Sequence, residues 1–267
     1  MIIDSHCHIY PTKIALKAVE AVEDFYEQLP GEQYNGTVET LKASSAGSGV
    51  THCIVHSVAT KPEQVSSINR FLARSMEESE GHFIALGTMH PETEDLKRDM
   101  DELEALGLHG VKIHPDIQRF ESDSPKAMAI FAECAERGLP ILVHTGDHRY
   151  DFSNPNRIIP VLKAFPDLKF IGAHFGGWSI WEEATEALSE YPNVWVDTSS
   201  SLHWLKPETA VRLIRAYGSK RVMFGTDYPL WHQTPEIEYL KKLPLTEEEQ
   251  DDIFWRTCAD LYKIPLK

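Results

Sequence analysis

Short, continuously hydrophobic runs recur along the chain, and longer amphipathic stretches separate them. The runs are rich in β-branched and aromatic residues, and they cover residues 1–3, 53–58, 83–89, 110–113, 140–143, 169–173, 194–196 and 221–224. Runs that are apolar throughout, without alternation, are typical of strands buried on both faces, as in parallel sheets. The pattern therefore predicts eight parallel strands.

The stretches between these runs have the spacing of amphipathic helices. Residues 62–80, 92–106 and 124–137 each place apolar side chains on one helical stripe, and residues 246–262 begin with a capping-box pattern. From the second strand onward the strands lie about 25–31 residues apart, which is one β-loop-α unit each. Eight such units predict a (β/α)8 TIM barrel. An open doubly wound sheet is the rival, and it is disfavoured because no glycine-rich phosphate loop follows the first strand.

The first unit is longer than the others and holds an additional helix. Residues 12–29 and 37–46 both have helical patterns, and a turn separates them. We interpret residues 11–33 as an insertion that lies over the mouth of the barrel. No linker or low-complexity segment divides the chain, so residues 1–267 are predicted to form one metal-dependent barrel domain.

Composition narrows the function classes. The net charge is −15, from 26 basic and 41 acidic residues, and no basic run offers a site for a polyanion, so nucleic acid is not an expected partner. The four cysteines are scattered without a C-x-x-C pair, and no uninterrupted apolar stretch is long enough to span a membrane. We therefore expect a cytoplasmic protein that acts on a small molecule. A homo-oligomer is compatible with this class of barrel.

Metal-binding side chains follow several of the predicted strands. In a (β/α)8 barrel the active site forms where the strands end. The candidates at these positions are His6, His8, Lys112, His144, His174 and Asp227. Each alone has an ordinary structural explanation, such as a hydrogen-bonded core histidine or a helix cap. Together they predict a metal site, whose nitrogen and carboxylate ligands suit Zn²⁺ best and Mn²⁺ as an alternative.

The spacing of these residues suggests individual roles. His6 and His8 are two residues apart, so in extended chain they point to the same side. Lys112 ends the fourth strand, where an inward lysine is costly unless it is modified or paired. It is either carbamylated and bridges two metals, or a cation facing an acid or a substrate carboxylate, and one or two ions per chain are both compatible. His114 is a weaker site candidate, and Asp197 is placed to hold a ligand histidine through its outer nitrogen.

These motifs resemble the amidohydrolase superfamily. They are Asp-Ser-His-x-His at residues 4–8, Gly-Val-Lys-Ile-His-Pro at 110–115, Val-His-Thr-Gly at 143–146, Ala-His-Phe-Gly-Gly at 173–177 and Phe-Gly-Thr-Asp-Tyr-Pro at 224–229. The set looks most like the branch that contains aminocarboxymuconate-semialdehyde decarboxylase. That resemblance implies His6, His8, His144 and Asp227 as ligands of a single metal, with His174 contacting the water or the reacting group. Lys112 departs from this one-metal pattern and is similar to the carbamylated lysine of dihydroorotases.

Two enzymatic functions follow from these residues. The first is hydrolysis of an ester, lactone or amide, in which Asp227 takes the proton of a metal-activated water and His174 stabilises the oxyanion. The alternative is non-oxidative decarboxylation of an aromatic or enol acid, for which Arg119 and Arg149 are candidate carboxylate clamps. Trp178 and Trp231 are candidate walls of the substrate pocket. A barrel that binds without catalysis is a third, less favoured reading.

Overall fold

The computed structural model describes residues 1–27 and 35–265. In this part of the chain the strands run parallel to their neighbours in sequence order. They are β1 (Ile3–His8), β2 (His52–His56), β3 (Phe83–Ala85), β4 (Gly87–Thr88), β5 (Val111–Ile113), β6 (Ile141–Val143), β7 (Phe170–Gly172), β8 (Val194–Asp197) and β9 (Val222–Met223).

These strands form a closed barrel of eight. β3 and β4 are two parts of one barrel strand, interrupted at Leu86; β3 pairs with β2, and β4 pairs with β5. Closure comes from backbone hydrogen bonds between the chain around β9 and β1: Ser5 N donates to Phe224 O at 2.8 Å, and Asp227 N donates to His6 O at 2.9 Å. The predicted TIM-barrel fold is confirmed.

Helices fill the connections between the strands. They are α1 (Ala15–Tyr26), α2 (Val38–Ser48), α3 (Val65–Glu77), α4 (Leu96–Ala105), α5 (Pro115–Gln118), α6 (Pro125–Arg137), α7 (Pro155–Ala164), α8 (Trp181–Leu188), α9 (Pro207–Tyr217), α10 (Gln233–Lys242), α11 (Glu247–Asp251) and α12 (Thr257–Tyr262). A π-helical turn joins α11 to α12. Thr246 caps α11 through the predicted capping box, since its hydroxyl accepts from Glu249 N.

Two boundaries differ from the sequence-based expectation. β1 begins where the predicted first strand ends and continues to His8, because partners elsewhere in the barrel accommodate buried polar side chains such as Asp4 and His6. The Asp4 carboxylate, for example, accepts hydrogen bonds from Thr226 N and Oγ1 and from Gln233 Nε2. α1 is the predicted extra helix after the first strand, and the predicted ends of that helix at residue 29 and of the insertion at residue 33 lie outside the described residues.

The buried core closes the amino-terminal end of the barrel in the described part of the chain. Alternate strand residues point outward under the helices, while the inner cluster near the strand starts includes Ile3, Ile54, Leu142 and Met223. Tyr262 and its neighbours in α12 pack on this inner cluster and cover the amino-terminal ends of the strands. The polar residues gather at the carboxyl ends, as the fold requires. Within the described ranges, no helix is long and apolar enough to cross a membrane.

Candidate metal centre and active site

All six predicted metal-site residues line one cavity of about 620 Å³ at the carboxyl ends of the strands. His6 and His8 lie within β1, and Lys112 lies within β5. The other three, His144, His174 and Asp227, directly follow or lie shortly after β6, β7 and β9. The ligand atoms of His6, His174 and Asp227 lie within 4.8 Å of one another, and His8 Nε2 lies 3.3 Å from Asp227 Oδ1.

The orientation of the His6 ring is fixed by a carboxylate behind it. His6 Nδ1 lies 2.9 Å from Asp197 Oδ2, and because an ionised carboxylate only accepts, Nδ1 must carry the proton. The lone pair of His6 Nε2 then faces Asp227 Oδ1 at 3.3 Å. Two acceptors at this distance repel each other unless a cation lies between them. This arrangement fits a metal ion.

His8 completes the same arrangement. Its Nε2 lies 3.3 Å from Asp227 Oδ1, and its Nδ1 has no hydrogen-bond partner among residues 1–27 and 35–265. Donor atoms bound to one ion at about 2.1 Å lie roughly 3.0–3.5 Å apart, so the observed spacing suits a shared ion. His6, His8 and Asp227, with His174 beside them, are the residues that would hold it.

The ionisation states also suit metal binding. Burial, followed by the nearby Lys112 ammonium, lowers the pKa of His6 to about 4, so this imidazole is neutral at pH 7 as a ligand must be. Burial opposes ionisation of Asp227, yet the surrounding imidazoles, His6 foremost, hold the pKa of its carboxyl well below its usual range. Burial likewise opposes ionisation of Asp197, but His6 brings its pKa to about 2. The site therefore presents neutral nitrogens and ionised oxygens.

His174 and Asp227 both have left-handed backbone conformations, with φ of 60° and 69°. Such conformations are costly for residues other than glycine and cluster at functional sites. Backbone hydrogen bonds compensate: His174 N donates to Asp197 Oδ1, and Asp227 N donates to His6 O. The strained turns thus aim both side chains into the cavity.

His174 also contacts the next histidine around the barrel. Its Nδ1 lies 2.9 Å from the carbonyl oxygen of Ser199, so Nδ1 donates and Nε2 offers a lone pair towards the cavity. His144 Nδ1 lies 3.0 Å from that Nε2, and the His144 ring stacks on His114 at 3.9 Å. His144 therefore connects the His6–His8–Asp227 group to a second polar group.

That second group was largely missed from the sequence. His114, Asp116 and His144 bring their ligand atoms within 4.8 Å of one another, and Asp116 Oδ1 has no hydrogen-bond partner in the described part of the chain. The hydroxyl of Tyr26, from the insertion helix α1, lies 2.9 Å from His114 Nε2. His114 lies two residues after Lys112, so in extended chain it points to the same side. This spacing was the sequence signal that indicated His114. Nothing in the sequence pattern pointed to Asp116 or Tyr26.

His56 is a further residue that the sequence did not single out. It ends β2, is fully buried, and neither of its ring nitrogens has a hydrogen-bond partner among the described residues. Its ring meets those of His6 and His8 edge to face at 4.7 and 4.4 Å, and the three offer ligand atoms within 4.8 Å of one another. A buried imidazole with no partner is costly, which again fits a metal nearby. His56 lies two residues after Ile54, whose side chain points into the barrel, and this spacing could have identified His56 from the sequence.

Lys112 points into the barrel and is almost completely buried. Burial lowers the pKa of its ammonium group to about 8, although the nearby Asp227 and Asp197 carboxylates raise this pKa. At neutral pH it is therefore mostly a cation but loses its proton more readily than an exposed lysine.

The four candidate substrate-binding residues separate into two sets. Arg119 lines the cavity. The Arg149 guanidinium instead pairs with buried Asp147 and donates to the carbonyl oxygen of Phe25 at 2.6 Å. Trp178 and Trp231 lie outside the cavity wall, and Trp231 Nε1 donates to Ser200 Oγ, which in turn donates to Asp227 Oδ2 at 2.6 Å. Trp231 thus supports Asp227 from behind.

Comparison with known proteins agrees with this geometry. The model of the family described as Amidohydrolase matches residues 3–264. The chain belongs to the amidohydrolase family. The resemblance seen in the sequence motifs is thereby confirmed, and with it membership of a family of metal-dependent enzymes. A comparison with curated proteins finds no significant match.

Solved structures share the fold of this amidohydrolase at low identity. An uncharacterised TIM-barrel protein from Bordetella bronchiseptica is 20% identical, with 98% of each chain covered and a TM-score of 0.83. 5-Carboxyvanillate decarboxylase from Novosphingobium aromaticivorans, complexed with manganese and 4-hydroxy-3-methoxy-5-nitrobenzoic acid, is 17% identical, with 98% and 96% covered and a TM-score of 0.76. A protein from Pseudomonas putida described as a 2-pyrone-4,6-dicarboxylic acid hydrolase is 17% identical, with 100% and 98% covered and a TM-score of 0.70.

Proposed function

We propose that this amidohydrolase catalyses the metal-dependent, non-oxidative decarboxylation of a hydroxyaromatic or enol carboxylic acid. The observation that carries the proposal is the ionised Asp227 carboxylate, which lies 3.3 Å from both His6 Nε2 and His8 Nε2 and faces a deep cavity. Fold similarity to a decarboxylase whose structure holds manganese adds support. Mn²⁺ or Zn²⁺ is the proposed metal, held by His6, His8 and Asp227 with His174 beside them.

The reaction breaks the bond between the carboxylate and the ring or enol carbon, and a proton takes the place of CO₂ on that carbon. The Asp227 carboxylate accepts the proton of the substrate hydroxyl, which gives an oxyanion and a protonated Asp227. Asp227 then delivers this proton to the carbon that carries the carboxylate. The bond between that carbon and the carboxylate then breaks, CO₂ departs, and the electron pair of the bond restores the ring or enol. The product oxyanion is released after it takes a proton from water.

The remaining residues stabilise charge and fix geometry. A bound divalent metal would supply a positive charge that favours the substrate oxyanion. Lys112, mostly protonated at neutral pH, adds a second positive charge on the cavity floor. Ser200 donates to the outer Asp227 oxygen, Oδ2, so that Oδ1 remains directed at His6 and His8. Arg119, on the cavity wall, is the proposed contact for an anionic substituent of the substrate.

The direct test is CO₂ release from a panel of ortho-hydroxybenzoates by the manganese-loaded protein. We expect release by the wild type and its loss, by at least about a hundredfold, in Asp227→Asn, because the proton carrier is removed. Asp167→Asn, which changes the same charge at an exposed position, is the matched control and should keep wild-type turnover. Full turnover by Asp227→Asn with metal bound would overturn the assigned role.

Hydrolysis of a lactone or ester is the second candidate function. Lys112 favours it, because a lysine whose pKa is lowered to about 8 has an increased neutral fraction able to react with CO₂ and form a carbamate. The fold similarity to the Pseudomonas putida protein points the same way. Hydrolysis of lactones without CO₂ release from any acid of the panel, together with a mass gain of one CO₂ on the intact chain, would favour this function over decarboxylation.

A further inference from the structure

The cavity continues well beyond the metal-site residues, and its outer part is apolar. A cavity of about 150 Å³ is enough for one benzene ring, whereas this one measures about 620 Å³. A single hydroxybenzoate head group at the polar floor therefore leaves most of the space unfilled. The residues around that remaining space determine what else a substrate carries.

One face of the insertion helix forms a wall of this outer space. Ala18, Ala21, Val22 and Phe25 of α1 line the cavity at helical spacing, so they share one face of the helix. They remain partly or largely exposed, although apolar residues on such a stripe are usually buried against protein. The face is therefore open to a ligand.

The rest of the lining around this outer space comes from the barrel side and is mainly apolar, with polar groups from Thr60, Gln64 and Ser67. Its apolar residues include Ile68 and Phe71 of α3, Ile117 and Leu230. Charged residues occupy the two ends instead: Lys112 and Asp227 lie at the floor, whereas exposed Lys17 and Arg119 lie towards the rim. The cavity therefore has a polar floor, and its outer part between α1 and α3 is mainly apolar. We call this outer part the apolar arm.

The helix that forms this arm is fastened to the barrel at its carboxyl end. The Arg149 guanidinium lies 4.9 Å from the centre of the Phe25 ring and donates to the Phe25 carbonyl oxygen. The Tyr26 hydroxyl bonds to His114 Nε2 at 2.9 Å. The wall that α1 contributes to the apolar arm is therefore preformed, and a preformed wall favours binding of an apolar group.

We propose that the substrate of this enzyme carries an alkyl or aryl substituent of several carbons, which binds in the apolar arm between α1 and α3 while its polar head group reaches the floor. The inference rests on the proposed function for the identity of the head group. The arm itself depends only on the shape and polarity of the cavity, so binding and chemistry can be tested separately.

The test uses resorcinol, 4-ethylresorcinol and 4-hexylresorcinol as probes, with their affinities for the manganese-loaded protein measured by calorimetry. We expect affinity to rise about two- to fourfold for each added methylene, because each is transferred from water to the apolar arm. Equal affinities across the series, within about twofold, would overturn the proposal.

A filling variant shows where the chain binds. Ala21→Phe should remove most of the gain from ethyl to hexyl while leaving resorcinol binding unchanged. Leu16→Phe, on the same helix but 66% exposed and outside the cavity wall, is the matched control and should behave as the wild type. A chain-length effect that survives in Ala21→Phe would place the alkyl group elsewhere and contradict the proposal. Chain-length-dependent binding without CO₂ release in the separate assay would keep the arm and reject the decarboxylase function.

Discussion

Asp197 Oδ2 lies 2.9 Å from Nδ1 of His6, on the side of the ring that faces away from the cavity. This contact fixes the tautomer of His6 and makes its Nε2 a better metal ligand. We therefore expect Asp197→Asn to weaken metal affinity about 10- to 100-fold. Competition with a chelator measures this, and the exposed change Asp167→Asn serves as control. Unchanged affinity in Asp197→Asn would show that the carboxylate does not act through His6.

Metal removal should lower thermal stability. At a free Mn²⁺ concentration a hundredfold above the dissociation constant, the ion stabilises the folded state by about 2.7 kcal/mol. For a chain of this size, that corresponds to a midpoint about 5–10 °C higher than after chelation. His6→Gln should abolish this difference, and His56→Gln should reduce it if the unpaired imidazole contributes a ligand atom. The exposed His109→Gln is the control. The same chelator shift in His6→Gln would exclude the assigned site.

Loss of the Tyr26 hydroxyl should loosen the attachment of α1. Tyr26→Phe leaves buried His114 Nε2 without this partner, which costs about 1–3 kcal/mol in the free energy of unfolding. Denaturant titration of both proteins measures the difference. Tyr150→Phe removes a hydroxyl from a more exposed ring, 38% accessible, and should cost much less. Equal effects of the two changes would mean that the Tyr26–His114 contact contributes no specific stability.

Glu236 should make the protein less stable as the pH rises. Burial raises the pKa of its carboxyl from 4.5 to about 8, with a further contribution from Asp4. Between these values the folded state binds more protons than the unfolded state, so the free energy of unfolding falls as the pH rises from about 5 to 8.

Glu236→Gln cannot ionise, and its free energy of unfolding should therefore fall less over the same pH window. The difference from the wild type should grow up to about pH 8, as followed by denaturant titration at several pH values. Glu238→Gln changes an exposed carboxyl on the same helix, and its free energy of unfolding should have the same pH dependence as that of the wild type. A wild-type slope in Glu236→Gln would show that Glu236 titrates normally.

The sequence predicted the barrel because its signals are local and repeated. Continuous apolar runs such as residues 140–143 and 169–173 contain strands β6 and β7, and the predicted helical stretch at residues 124–137 contains α6. The predicted ends of the strands were less accurate. In β1, for example, buried polar residues continue the strand to His8. Burial of Asp4 depends on Thr226 and Gln233, which are more than two hundred residues away. Hydrogen bonds between residues so far apart in the chain produce no local pattern in the sequence.

The same distinction separates the predicted site residues from the missed ones. His6, His8, His144, His174 and Asp227 follow apolar runs, so strand position alone brought them to one cavity. His56 lies inside an apolar run and was hidden by it. Tyr26 reaches His114 only because Arg149 and the barrel rim orient α1. Contacts made by the insertion depend on how it packs, which the helical pattern does not specify.

Deuterium exchange into a product phenol tests the proposed chemistry most directly. In the reverse direction CO₂ adds to the ring carbon and Asp227 then removes the proton from that carbon. The manganese-loaded protein in D₂O with bicarbonate should therefore replace a ring hydrogen ortho to the hydroxyl of resorcinol or its 4-alkyl derivatives, as proton NMR detects. We expect metal-dependent exchange by the wild type and by Asp167→Asn, and none by Asp227→Asn. Absence of exchange in every phenol, with lactone hydrolysis by the same preparation, would contradict the decarboxylase function.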